Sequence, residues 1–355
     1  AQIPKALRAA LGAAALVLLT GVGQAAWPQG FAGLGGGGEG FAQVEPDPSF
    51  EFPRDFAAHP EFRIEWWYVT ANLTGPDGAP MGLQWTLFRQ VRAPEAGRGW
   101  RSNQTWMGQA AITTADRHLA AERFGRGGIG QAGADAVPLR AWIDDWELAG
   151  DSQASLRMTA RARDFSYDVT LSTDRPPVPH GQKGYSVKAP GGQASYYYSQ
   201  PFYRLAGSVT IEGETIPVSG TAWLDREWSS QPLAGDQTGW DWFALHLQTG
   251  EKLMAFRLRD TSGGTYSRGT WIAPDGNPQP LPDGAISAEP LTRTQVAGRE
   301  VPTEWRLRLP EKGLDVTVSA LNPQSYMDLA FEYWEGPVTV SGSHEGTGYL
   351  EMTGY

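Results

Sequence analysis

From Phe165 to Leu171 apolar and polar residues alternate at every step, the period-two signature of a strand with one buried face. The same reading predicts strands over residues 64–73 and 81–91, joined by the turn Gly75-Pro76-Asp77-Gly78. Further hairpins are expected at 208–211 with 216–223, at 240–247 with 252–258, and at 305–309 with 314–320. Residues 338–341 and 348–352 complete the pattern. Helical spacing is confined to two short stretches, 119–124 and 324–331.

A succession of up-and-down hairpins with polar turns points to antiparallel barrels, which remove exposed sheet edges by closure. About fifteen or more strands exceed one small barrel. The chain is therefore read as all-β, with two consecutive barrels over residues 49–228 and 229–355. The join falls in the polar stretch 229–237, which contains Pro232 and Gly235.

The amino end has a different pattern. Lys5 and Arg8 precede the small or apolar run 9–22, and Gly23-Gln24-Ala25 offers a small-x-small cleavage site, which reads as a signal peptide over residues 1–25. The run is short for a membrane span; an uncleaved anchor is the alternative. Residues 26–48, with Gly35-Gly36-Gly37-Gly38, Pro46 and Pro48, read as a flexible linker in which Phe31 and Phe41 are the residues able to dock. The expectation is a periplasmic or secreted protein with no stable membrane span.

Composition narrows the chemistry. A net charge of −10 argues against nucleic acid or an anionic membrane surface as partner, and the absence of cysteine removes disulfides, thiolate catalysis and cysteine-zinc sites. His59, His118, His180, His246 and His344 lack ligand spacing, so no metal is expected. No Gly-x-Ser-x-Gly elbow and no phosphate-cradling loop is present, and no cofactor is expected.

Three aromatic–acidic clusters carry the candidate chemistry: Glu65-Trp66-Trp67-Tyr68, Trp223-Leu224-Asp225-Arg226-Glu227-Trp228, and Trp240-Asp241-Trp242-Phe243. A carboxylate among indoles either pairs with a cation or holds a proton that it can donate. Strand alternation puts Trp223, Asp225 and Glu227 on one face, with Leu224, Arg226 and Trp228 on the other. An acid in an apolar cavity and a buried arginine–carboxylate pair fixing the barrel both satisfy this pattern. Tyr196 and Tyr198 share a face and suit either a ligand or ordinary cross-strand packing. In the loop after Pro176, Pro177 and Pro179, His180 is a candidate proton shuttle and Lys183 or Lys188 an anchor for an anionic group; a solvated, tethered loop is the alternative.

The first cluster, Gly184-Tyr185-Ser186 through Trp228, and the closing Tyr333-Trp334-Glu335-Gly336-Pro337 and Gly348-Tyr349-Leu350-Glu351-Met352-Thr353-Gly354-Tyr355 together resemble a known family. It is the carotenoid 1,2-hydratase (hydroxyneurosporene synthase) and AttH-like superfamily, whose members are often labelled secreted hydrolases. The resemblance covers roughly residues 50–355 and implies two lipocalin-like β-barrels with a hydrophobic, isoprenoid- or lipid-like ligand in or between them. It implies Asp225 as general acid of a hydratase, a carbon–oxygen lyase, because Asp225 matches the aspartate of a Tyr-x-Asp-His-Asn-like segment. Trp223 then stands in place of the tyrosine, Arg226 and Glu227 replace the His-Asn pair, and Tyr196 and Tyr198 fall roughly where a histidine and a tryptophan assist. On this reading Asp225, Glu227 and Arg226 form the catalytic group. Trp223, Tyr196, Tyr198, Trp240, Trp242, Trp67 and His180 bind the ligand. The same resemblance implies an alternative, a non-catalytic lipid-binding accessory to ABC transporter components.

Overall fold

A computed structural model describes residues 37–95 and 97–355. The expected signal peptide and residues 26–36 of the expected linker lie outside the described residues. The described part is all-β and forms two curled, barrel-like antiparallel sheets. The first has 13 strands between Ile64 and Ser229, the second 10 strands between Gln237 and Met352.

In the first sheet the strand Ile64–Thr74 lies between Pro80–Val91 and Glu214–Ser229, and Glu214–Ser229 pairs in turn with Ala194–Ile211. The alternation read at 165–171 is realised in the strand Phe165–Ser172, whose Phe165, Tyr167, Val169 and Leu171 are all buried. These side chains, with Trp67, Trp85, Trp146 and Leu224, fill the inside of the curl. The sheet's two outermost strands meet where Gly125 leaves room: a Cβ there would come within 3.1 Å of Ala132. The second sheet encloses its own core of Phe243, Leu253, Trp305, Leu307, Val316 and Leu350. Leu224 is fully buried in the first core. Leu224→Ala is expected to cost about 2–5 kcal/mol, read as a lower urea midpoint with an unchanged m-value.

The sheets pack outer face to outer face. Tyr68, Tyr197 and Trp223 from the first meet Trp242, Phe256, Leu258 and Tyr349 from the second in one buried cluster. The faces approach so closely at Gly82 that a Cβ there would lie 2.5 Å from Pro337 and 2.6 Å from the Tyr349 hydroxyl. Asn72 Nδ2 donates to the Gly348 carbonyl at 2.8 Å, another tie between the sheets.

Neither expected helix forms. Residues 119–124 belong to the strand His118–Arg126, which finds a full set of partners in Gln104–Thr113; the tertiary ladder outweighs a weak local preference. Residues 324–331 begin in a turn held by Asn322, whose Oδ1 accepts from the Gln324 N–H at 2.9 Å. Tyr326–Met327 then pairs with Tyr333 and Trp334. Residues 37–48 do not stand away from the sheet. Phe41 is buried, the Ala42 N–H donates to the Glu61 carbonyl, and Ser230 Oγ donates to the Ala42 carbonyl.

Candidate functional site

Alternation along a strand and register across strands together decide what faces the space between the sheets. One row of the first sheet runs Gln109, Thr86, Tyr68, Asp225, Ser199 across five adjacent strands. The next row on the same face runs Met107, Phe88, Trp66, Glu227, Tyr197. Opposite them the second sheet presents Trp240, Trp242, Phe256, Leu258, Tyr333 and Glu351. Between the two walls lies a cavity of about 620 Å³, well within the range of small-molecule sites.

Asp225 lines this cavity and is 4% exposed. Its Oδ1 accepts from Trp223 Nε1 at 2.9 Å and from Ser199 Oγ. Its Oδ2 is buried and has no hydrogen-bond partner. Burial pushes the carboxyl up to about 7; hydrogen bonds from Ser199, Trp223 and Tyr197 pull the other way, and the Glu227 charge pushes it further up. Because Oδ1 already accepts two hydrogen bonds, the proton of the neutral acid belongs on Oδ2.

Behind Asp225 runs a relay. Ser199 Oγ meets His180 Nε2 at 2.5 Å, and His180 Nδ1 meets Thr270 Oγ1 at 2.8 Å. Since Ser199 donates to Asp225, His180 donates from Nε2 and accepts from Thr270. Burial, helped by the Lys188 charge, lowers His180 to about 3, so the ring stays neutral while Asp225 titrates. The pairing of Val178–Pro179 with Tyr198 and Ser199 sets His180 in place. Ser199→Ala removes a donor to the charged form. The Asp225 midpoint is expected to rise by about one pH unit, readable in the carboxyl ¹³C shift.

Of the residues singled out in the sequence, Asp225, Glu227, Lys188, Trp240 and Trp242 line the cavity, with Trp66 and Tyr68 of the first cluster. Glu227 accepts from Lys188 Nζ at 3.0 Å and from Ser195. Lys188 lies over the Tyr197 and Phe256 rings, at 4.6 and 4.4 Å from their centres. Trp223 and His180 stand behind Asp225 and hold it. Lys183 reaches outward to Asp47 at 2.6 Å, both exposed.

The other four sit on the wrong face. Arg226 points away from the cavity. It donates to the carbonyls of Phe56, Trp66 and Ala57, lies 3.9 Å from the centre of the Trp67 ring, and approaches Glu65 at 3.7 Å. Trp67 is inside the first core, its Nε1 on the Phe56 carbonyl. Tyr196 and Tyr198 pack with Phe50, Phe62 and Trp228. Strand parity is the reason: Tyr197 pairs with Glu227 and shares its face, which turns both neighbours the other way.

Sequence reading assigns no individual role to Tyr68, Tyr197, Gln109, Tyr333, Glu335 or Glu351. Tyr68 donates to Glu335 Oε1, Trp240 Nε1 donates to Glu351 Oε1 at 2.6 Å, and Tyr333 donates to Gln109 Oε1 at 2.7 Å. Burial raises Glu351 to about 7 and moves Glu335 well above the usual carboxylate range, with the neighbouring Glu351 charge pushing Glu335 the same way.

The family model described as AttH-like matches residues 43–355. The chain belongs to the AttH-like family. Among solved structures, an AttH protein from Nitrosomonas europaea is 33% identical, covering 89% of this chain and 99% of that one, with a TM-score of 0.81. Kievitone hydratase from Nectria haematococca shares the fold at 17% identity, with 89% and 96% coverage and a TM-score of 0.66. CghA bound to Sch210972 shares it at 12% identity, with 83% and 89% coverage and a TM-score of 0.53. No curated protein matches. In this AttH-like chain the cavity lies between the two lipocalin-like sheets. Among the described residues no helix is long and apolar enough to cross a membrane.

Proposed function

We propose that this AttH-like protein is an exported hydratase. It holds a hydrophobic small molecule between its two sheets and adds water across a carbon–carbon double bond, with Asp225 as general acid. The observation that carries this reading is Asp225 Oδ2, a buried oxygen with no hydrogen-bond partner in an aromatic cavity, on a carboxyl that keeps its proton to about pH 7. A protonated acid in the cavity wall, with an oxygen that makes no hydrogen bond of its own, is placed to give its proton to a ligand.

In the step itself, the Oδ2–H bond breaks and its proton joins one alkene carbon. The faces of Trp66, Tyr197 and Trp242 stabilise the positive charge left on the other carbon. A water oxygen bonds to that carbon, and the proton it sheds restores Asp225. The product is the alcohol, with nothing oxidised or reduced. The relationship to kievitone hydratase supports this class of reaction.

The test is incubation with isoprenoid alkenes in isotopically labelled water, followed by mass spectrometry. Gain of one labelled oxygen, dependent on Asp225, is the expected result. Ligand recovered chemically unchanged from protein purified from its host, with no labelled product, supports the competing role as a lipid-binding accessory to a transporter.

A further inference from the structure

The cavity has a second polar station, separate from Asp225. At the far end of the row that contains Asp225, Gln109 lines the cavity, is 2% exposed, and has an Nε2 with no hydrogen-bond partner. Its Oε1 is occupied by the Tyr333 hydroxyl at 2.7 Å. Directly across, Glu335 and Glu351 stand opposite each other on neighbouring strands of the second sheet. Tyr68 reaches over to Glu335 Oε1, leaving Glu335 Oε2 buried without a partner. Glu351, Tyr68 and Tyr333 all face the cavity.

Buried donors left unpaired cost about 1–3 kcal/mol each. A purely hydrocarbon ligand would leave the Gln109 amide nitrogen and the second oxygen of Glu335 unpaired. An oxygen acceptor on the ligand would satisfy them. Gln109 and Asp225 are three strand spacings apart, or about 14 Å at ~4.8 Å each. Allowing a hydrogen-bond length at each end, the oxygen and the reacting double bond stand on the order of 10 Å apart.

We propose that Gln109, Tyr333, Tyr68 and the Glu335–Glu351 pair form a binding site for an oxygen function of the ligand, a hydroxyl or carbonyl, and so set which double bond meets Asp225. The ligand class is an oxygenated isoprenoid chain rather than a hydrocarbon. This rests on the cavity being the ligand site, and the test separates the two claims.

The probes are farnesol and farnesene, the same carbon chain with and without a terminal hydroxyl, titrated against the intact protein by tryptophan fluorescence. Farnesol is expected to bind at least tenfold more tightly. Gln109→Leu and Glu351→Leu are expected to weaken farnesol about tenfold while leaving farnesene unchanged, and the unaltered farnesene affinity shows that both variants are folded. Equal affinity for the two probes overturns the oxygen site and leaves the cavity standing. Loss of both ligands in parallel in the variants also overturns it. Binding of neither probe to the parent protein overturns both claims.

Discussion

Asp225→Asn is expected to lower kcat/KM for water addition by a factor on the order of 10²–10⁴, the usual contribution of a positioned acid. Asparagine keeps the shape and can still accept from Trp223 and Ser199 on its oxygen, so the loss isolates the missing proton. In the parent protein kcat/KM should fall as pH rises through about 7, because ionisation removes the acid. The same variant should be more stable than the parent at alkaline pH. The Asp225 carboxyl is raised in the fold from 3.8 to about 7, so the folded state binds its proton more tightly than the unfolded chain does. The benefit of that proton is fully present below the unfolded value of 3.8, and is lost progressively as pH rises from there through about 7. At ~1.4 kcal/mol per pH unit the penalty reaches about 4 kcal/mol at most, and asparagine avoids it. Thermal melts at pH 5 and pH 8 check this. The stability difference should be small at the lower pH and clearly favour Asp225→Asn at the higher. A variant equally destabilised at both values would make Asp225 a structural residue.

Arg226→Ala should have the opposite signature: severe loss of stability with no specific effect on the chemistry. Arg226 is fully buried, donates to three backbone carbonyls, and lies against Trp67 and Trp228. With Arg89 and His59 it keeps Glu65 ionised. Burial pushes that carboxyl up, yet the three together bring it down to about 2. Removing one partner of such a network leaves a buried charge undercompensated and three carbonyls without donors, at a cost of about 3–5 kcal/mol. A fall in Tm of about 4–7 °C follows for a chain of this size. Arg226→Lys should rescue little, since one ammonium cannot reproduce the planar fork that serves Phe56, Ala57 and Trp66 together. Scanning calorimetry gives the stability. Activity per folded molecule should stay within a few-fold of the parent, because the side chain lies on the far side of the sheet from the cavity.

The contrast between neighbours 225 and 226 shows how much of the site can be read from residues alone. Period-two alternation is local, so it separated Asp225 and Glu227 from Arg226 and found most of the hairpins. It cannot say which of two alternating faces looks into a barrel and which looks outward. Alternation alone therefore allows Trp67 in the ligand set, although Trp66 faces the cavity. It likewise allows Tyr196 and Tyr198, although the register with Glu227 selects Tyr197. Glu335 and Glu351 were visible only as parts of a family-like ending. What makes them matter is their position opposite each other across two strands and against Tyr68, which begins 267 positions earlier in the chain. The stretches 119–124 and 324–331 failed as helices for a similar reason. Their partners, Gln104–Thr113 for one and Tyr333 with Trp334 for the other, are not written in the segments themselves.

All of the proposed chemistry requires one side chain to be an acid near neutrality. The direct measurement is an NMR titration of protein carrying ¹³C-labelled aspartate carboxyls, with the Asp225 resonance assigned by its absence in Asp225→Asn. A midpoint near 7, moving upward in Ser199→Ala, is the expected result. A midpoint at or below the ordinary aspartate value of about 4 would mean that the cavity holds a permanent carboxylate with no proton to give.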